Sequence, residues 1–228
     1  MKASGGTDEQ KRRAGESAAA LVEDGTTVGL GTGSTAAYAI RALGRAVDDG
    51  LDVRGVPTSF ASRQLAREVG VPLVSLDEVE RLDLAIDGAD QAACGDLIKG
   101  GGAAHAREKV VAAAADRFVA VVDPSKVAAA LDRPVPVEVL PDARTTVAKH
   151  VRDRDGDPVL RAAERKDGPV VTDNGNVVLD CAFGELVDPE PLAAELAALP
   201  GVVEHGLFVG MADEIHVGTD DGVRVREF

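Results

Sequence analysis

LDLAIDGADQAACGDLIKGGGAAHAREK, residues 82–109, is the stretch from which the fold and the chemistry of this chain are read. The apolar run Leu82-Asp83-Leu84-Ala85-Ile86 fits a buried parallel strand, which places Asp87 at its C-terminal end. Open α/β sheets bind their ligands at that edge. The stretch then brings Gly88, Ala89 and a second carboxylate, Asp90, followed by Lys99, by Gly100-Gly101-Gly102, and by a helix that carries Glu108. Carboxylates, a cation and backbone amides freed by glycine make a site for moving protons on a polar small molecule.

Outward from this stretch, strands and helices alternate. Thr7 and Gln10 fit a capping box for a helix over residues 8–23, followed by a strand over 26–30 and a helix over 36–46. A strand over 53–56, a helix over 60–69, the strand ending at Asp87, a helix over 103–115 and a strand over 118–122 continue the pattern. Such alternation predicts a Rossmann-like, doubly wound, mostly parallel α/β sheet. The pattern changes near residue 132. The prolines of residues 133–141 predict an edge-like or extended segment rather than a central strand, a helix spans 143–151, and Asp173-Asn174-Gly175-Asn176 makes a hairpin turn. A helix over 189–199 and a strand over 202–209 complete a smaller α+β domain over residues 132–206, set between 1–131 and 207–228 of the larger one. Residues 214–218 have strand character and are expected to return to the first sheet.

Composition narrows the function classes. The net charge is −14, with no basic stripe to neutralise phosphates, which argues against nucleic acid. No apolar run is long enough to cross a bilayer, and the N-terminus carries no hydrophobic signal segment, so a cytoplasmic protein is expected. Cys94 and Cys181 match neither a disulfide framework nor a metal-ligand spacing, and the four histidines show none either. Asp outnumbers Glu 24 to 15, and Arg outnumbers Lys 18 to 7. An acidic, Asp-rich, Lys-poor surface resembles that of proteins from salt-loaded cytoplasm; a high-GC codon bias is the plainer alternative.

Gly31-Thr32-Gly33-Ser34-Thr35-Ala36 joins a strand to a helix and presents free amides and the positive helix end to an anion. A dinucleotide site of this G-x-G-x-x-A form wants an acid at the end of the second strand, where Val56-Pro57-Thr58-Ser59 has none. Thr32, Ser34 and Thr35 add hydroxyls that suit a terminal phosphate, which favours a phosphate monoester over a dinucleotide or a plain tight turn. Glu108 has Ala104, Val111 and Ala112 one turn away, and a carboxylate on that small apolar face is desolvated toward the range of a general base. On its own such a residue would be read as a surface carboxylate paired with Arg107 or Lys109; DGAD and KGGG change that reading. Lys126, beyond the strand over 118–122, lies on the same sheet edge. His105 is read as a surface or packing residue.

In this order the motifs resemble the type A ribose-5-phosphate isomerase family: GLGTGSTAAYAI, PTSFAS, LAIDGADQ, IKGGGAAHAREK, VDPSK, PVEVLP, VTDNGNVVLD and a late GLF. The resemblance implies interconversion of ribose 5-phosphate and ribulose 5-phosphate in the pentose phosphate pathway, with no metal and no organic cofactor. It also implies a ferredoxin-like smaller domain and a homodimer or homotetramer. By position, Glu108 would move a proton between C1 and C2 through a cis-enediol, and Thr32, Gly33, Ser34 and Thr35 would hold the phosphate. Asp87 and Asp90, within Asp87-Gly88-Ala89-Asp90, would contact sugar hydroxyls, Asp87 also helping ring opening. Lys99 and the amides of Gly100, Gly101 and Gly102 would stabilise the enediolate, with Lys126 a further cation. Gln91 stands where an acid is common in the family. Rival readings are a silent sugar-phosphate sensor, or a sugar-phosphate deaminase or lactonase; the latter two want a histidine near the leaving group.

Overall fold

Residues 5–228 are described by the computed structural model; residues 1–4, part of the N-terminus read above, lie outside the described residues. The chain opens with α1 (Asp8–Ala19), β1 (Thr26–Leu30), α2 (Ser34–Asp48), β2 (Val53–Pro57) and α3 (Phe60–Glu68). β3 (Leu84–Gly88), β4 (Gln91–Ala93), β5 (Asp96–Ile98), α4 (His105–Ala113) and β6 (Phe118–Val122) follow. Thr7 and Gln10 cap α1 reciprocally, as the spacing predicts. The helix ends at Ala19 rather than near 23, because Leu21 and Val22 leave through i→i−3 turns and pack onto the core.

The second half contains β7 (Val135–Val139), α5 (Arg144–Arg152), β8 (Asp157–Leu160), β9 (Val177–Ala182), α6 (Glu190–Ala198) and β10 (Val202–His205). It closes with β11 (Leu207–Phe208), β12 (Glu214–Thr219) and β13 (Gly222–Glu227). The main sheet runs β13-β12-β6-β3-β1-β2, parallel throughout except for β13 on the edge. This is the mostly parallel α/β sheet expected, and residues 214–219 return to it beside β6. One face packs Ala14, Ala18, Ala36, Ile40, Leu43 and Ala66 of α1, α2 and α3 against Val28, Leu30 and Ile86. The other packs Val111 and Ala112 of α4, with Leu97 and Phe208, against Ala85, Ala120 and Ile215. With almost no aromatics to fill it, the core is built from closely set Ala, Val, Leu and Ile.

Residues 135–205 form an antiparallel sheet, β10-β7-β9-β8, in the element order β-α-β-β-α-β of a ferredoxin-like unit. Its core gathers Val137, Val147, Val151, Leu179 and Leu196. Here the expectation of an edge segment for residues 133–141 fails, because β7 lies inside the sheet between β10 and β9. Pro136 is tolerated because its missing N–H faces the side on which β10 has already ended; its carbonyl takes the Gly206 amide at 2.7 Å. Residues 202–209 are likewise two strands. The chain breaks at Gly206, where β10 leaves β7 and β11 joins β5 and β4 in a separate three-stranded sheet. Asp173-Asn174-Gly175 does turn as a hairpin, with the Thr172 amide donating to the Asn176 carbonyl at 2.9 Å. Among the described residues no helix is long and apolar enough to cross a membrane.

Candidate active site

The C-terminal ends of β1, β3 and β6 carry the loops read as functional. Gly31 follows β1 so closely that a Cβ there would sit 2.2 Å from Asp87 Oδ1, so only glycine lets the two strand ends meet. Gly33, at φ +114°, is the N-cap of α2 and makes no side-chain cap bond, which leaves the helix's first amides without a side-chain partner. The Thr32 hydroxyl turns toward β2 and bonds Thr58 Oγ1 at 2.8 Å and Ser59 Oγ at 2.7 Å. The position where a dinucleotide site would hold its acid therefore supports the anion loop from behind.

Asp87, Lys99 and Glu108 meet in the interior, each under 5 % exposed. Lys99 Nζ lies 3.1 Å from Asp87 Oδ2 and 3.2 Å from Glu108 Oε2. Lys99 also donates to the Gly88 carbonyl, so its ammonium joins the two carboxylates to the β3 end. Asp87 Oδ1 is taken by the amides of Thr32 at 2.8 Å and Gly88 at 2.7 Å. Burial pushes the Glu108 carboxyl up to about 8, with repulsion from Asp87 in the same direction and Lys99 opposing. Burial also raises Asp87. For Lys99 burial works downward, but the facing Asp87 and Glu108 charges outweigh it and hold the ammonium above its ordinary range.

A cleft of about 240 Å³ opens on this cluster. Its walls include Thr32, Gly33, Ser34 and Thr35 of the anion loop, together with Gly88, Ala89, Asp90, Lys99, Gly100, Gly101, Gly102, Glu108 and Lys126. Asp87 lies directly beside this lining, its Oδ1 held by backbone amides and its Oδ2 3.1 Å from Lys99 Nζ. Three amides are not available in the glycine loop, since Gly101 donates to Asp90 Oδ2 at 2.6 Å. The cleft thus joins a loop that suits an anion to a base beside a buried cation.

The sequence profile described as ribose 5-phosphate isomerase A (phosphoriboisomerase A) matches residues 54–222. A relative from Haloarcula marismortui, named ribose-5-phosphate isomerase A, is 72% identical over 222 residues, covering 97% of each chain. The chain belongs to the ribose-5-phosphate isomerase A family. A solved family structure from Methanocaldococcus jannaschii superimposes with a TM-score of 0.93 at 43% identity, covering 98% of this chain and 100% of that one. A D-ribose-5-phosphate isomerase solved in complex with phospho-erythronic acid superimposes with a TM-score of 0.95 at 41% identity and the same coverage.

In this member of the ribose-5-phosphate isomerase A family, several residues at the site escape motif reading. Lys11 of α1 lines the cleft from far off in sequence; the scarcity of lysine in an arginine-preferring chain was its only signal. Asp123, fully buried, also lines it, caps the turn carrying Lys126 through the Ser125 amide at 2.9 Å, and keeps Oδ2 unpaired. Burial lowers the Lys126 ammonium. Phe208 lies under the site, its ring centroid 5.4 Å from Lys99 Nζ and 5.0 Å from Lys109 Nζ. His105 proves to be packing: it is wholly buried against Gly100, burial drives its imidazole down to about 3, and it does not face the cleft.

Proposed function

We propose that this chain interconverts D-ribose 5-phosphate and D-ribulose 5-phosphate through a cis-enediol, with Glu108 as the base. The observation that carries this reading is a carboxylate pushed up to about 8, set 3.2 Å from a buried ammonium in the cleft that the anion loop also lines. The substrate phosphate sits on the α2 amides and the hydroxyls of Ser34 and Thr35, with Lys11 and Lys126 supplying charge. The sugar chain then runs toward Asp90 and Glu108. Once the ring has opened, Glu108 takes the C2 proton of the aldose; Lys99 and the amides of Gly100 and Gly102 hold the charge that develops on oxygen. As a proton passes from the C2 hydroxyl to O1, Glu108 returns the carbon-bound proton to C1 and the ketose leaves. Asp87 serves from behind, fixing the Thr32 loop and keeping Lys99 charged. Phospho-erythronic acid, bound by a related enzyme, has the same two ends: a phosphate and an anionic oxygen group.

The same reading divides the chain into a larger domain, residues 1–131 with 207–228, and an inserted domain, 132–206. It makes the protein a cytoplasmic homodimer or homotetramer that needs no cofactor, and chelators are expected to leave turnover unchanged. The deciding experiment is incubation with ribose 5-phosphate in deuterated water, followed by NMR. Ribulose 5-phosphate with deuterium at the exchanged carbon supports the isomerase; binding without product or exchange would instead identify a sugar-phosphate sensor.

A further inference from the structure

A run of three glycines is a poor platform for a preorganised site, because each residue has wide backbone freedom to lose. Something outside the run must hold it. Arg161 follows directly after β8, in the smaller sheet, and reaches across to the loop: its Nη1 donates to the Gly100 carbonyl at 2.8 Å and lies 3.4 Å from that of Gly101. The guanidinium is itself fixed by a fork to Asp180 of β9, Nε to Oδ2 at 2.9 Å and Nη2 to Oδ1. Its side chain is only 10% exposed. Gly100 sits at φ +106°, with His105 filling the space where a Cβ would stand.

We propose that Arg161, oriented by Asp180, is a positioning residue: by holding the carbonyls of Gly100 and Gly101 it fixes the peptide planes of the loop. Those planes carry the amide of Gly101, which is bound to Asp90, and the amide of Gly102, which is thereby aimed at the oxygen that becomes anionic in the enediolate. A planar fork suits the task, since one edge, Nε with Nη2, is bound to Asp180 and the remaining nitrogen is left with one direction. Lysine carries the charge but not that geometry. The smaller sheet thus contributes to the reaction without touching substrate. The inference rests on the isomerase reading above, and the wild-type assay separates the two: no product from the wild-type chain sinks the reading itself, whatever the variants do.

The test compares Arg161→Met, Arg161→Lys and Asp180→Asn with wild type. Misaimed oxyanion donors are expected to lower kcat about 10²-fold in Arg161→Met, with KM for ribose 5-phosphate within about threefold. Arg161→Lys and Asp180→Asn should fall between, about tenfold down, because each keeps part of the restraint. Affinity for 4-phosphoerythronate, which presents an anionic oxygen to the loop, should weaken in step with kcat, while affinity for inorganic phosphate stays unchanged. A merely structural residue would shift both ligands together. Unchanged kcat in all three variants overturns the proposal, as does a parallel loss of phosphate and phosphoerythronate affinity. Should Arg161→Met fail to fold, the two milder variants decide the matter by the same pair of affinities.

Discussion

Glu108 is a residue that the fold holds at a cost. Its carboxyl is pushed up from 4.5 to about 8, chiefly by burial and then by Asp87. A carboxyl whose folded value is raised binds its proton more tightly in the native state. Its contribution to stability is therefore complete below pH 4.5 and drains away as pH rises toward 8, the range in which the base becomes active. Glu108→Gln is expected to lose about 10²–10⁴-fold in kcat while still binding the sugar phosphate. The same variant should melt higher than wild type by about 5 °C or more at pH 8, with the gap closing by pH 4.5. For the wild type, kcat/KM should climb with pH along a limb centred well above the ordinary carboxylate range. Thermal melts and pH–rate profiles on both proteins check this; a variant that turns over normally, or that melts no higher than wild type at pH 8, removes Glu108 from the role given it.

At the scale of elements, the phosphate loop and the catalytic cluster are expected to separate kinetically. Ser34 opens α2 and lines the cleft, and in the proposed binding mode its hydroxyl meets a phosphate that does not change during the reaction. A contact equally strong in ground and transition states affects affinity and not the chemical step. Ser34→Ala should raise KM for ribose 5-phosphate about tenfold or more and leave kcat within about threefold. Steady-state kinetics settle it, and a fall in kcat without a rise in KM would place Ser34 at the reacting end instead. The parallel elements were legible because β1, β3 and β6 are short apolar runs ending in glycine or acid, and each functional loop is contiguous with its strand. Strands β4, β5 and β11 have two or three residues each, too few for a period to register, so the small sheet beneath the site was invisible. Pro136 misled for a local reason, since a proline is barred from a central strand only where a neighbour needs its amide. Lys11, Asp123 and Arg161 come to the site from distant segments by tertiary packing, which no local spacing encodes.

Across the whole molecule, the cleft gathers three lysines, Lys11, Lys99 and Lys126, among the acids Asp90, Glu108 and Asp123, on a chain of net charge −14. The acids crowd the outside, with Asp48, Asp49 and Asp52 exposed together, and Asp220 beside Asp221. Exposed pairs such as Lys149–Asp153 offset little of this, because surface ion pairs contribute weakly. Mutual repulsion therefore opposes the compact state, and its range is set by ions: about 10 Å at 0.1 M salt but about 3 Å at 1 M. The buried Asp87–Lys99–Glu108 cluster lies beyond such screening. Salt should stabilise the fold while leaving the proton chemistry alone. The acidic composition of this chain and the halophilic archaeal origin of its relatives point the same way. Between 0.1 M and about 2 M KCl the melting temperature is expected to rise by about 10 °C or more. Over the same range kcat/KM should rise first, as the field repelling a phosphate dianion is screened, and then level once the lysines of the cleft are screened too. Codon bias alone would have placed these acids without regard to ions, so equal melting temperatures and rates at both salt concentrations would overturn the electrostatic account.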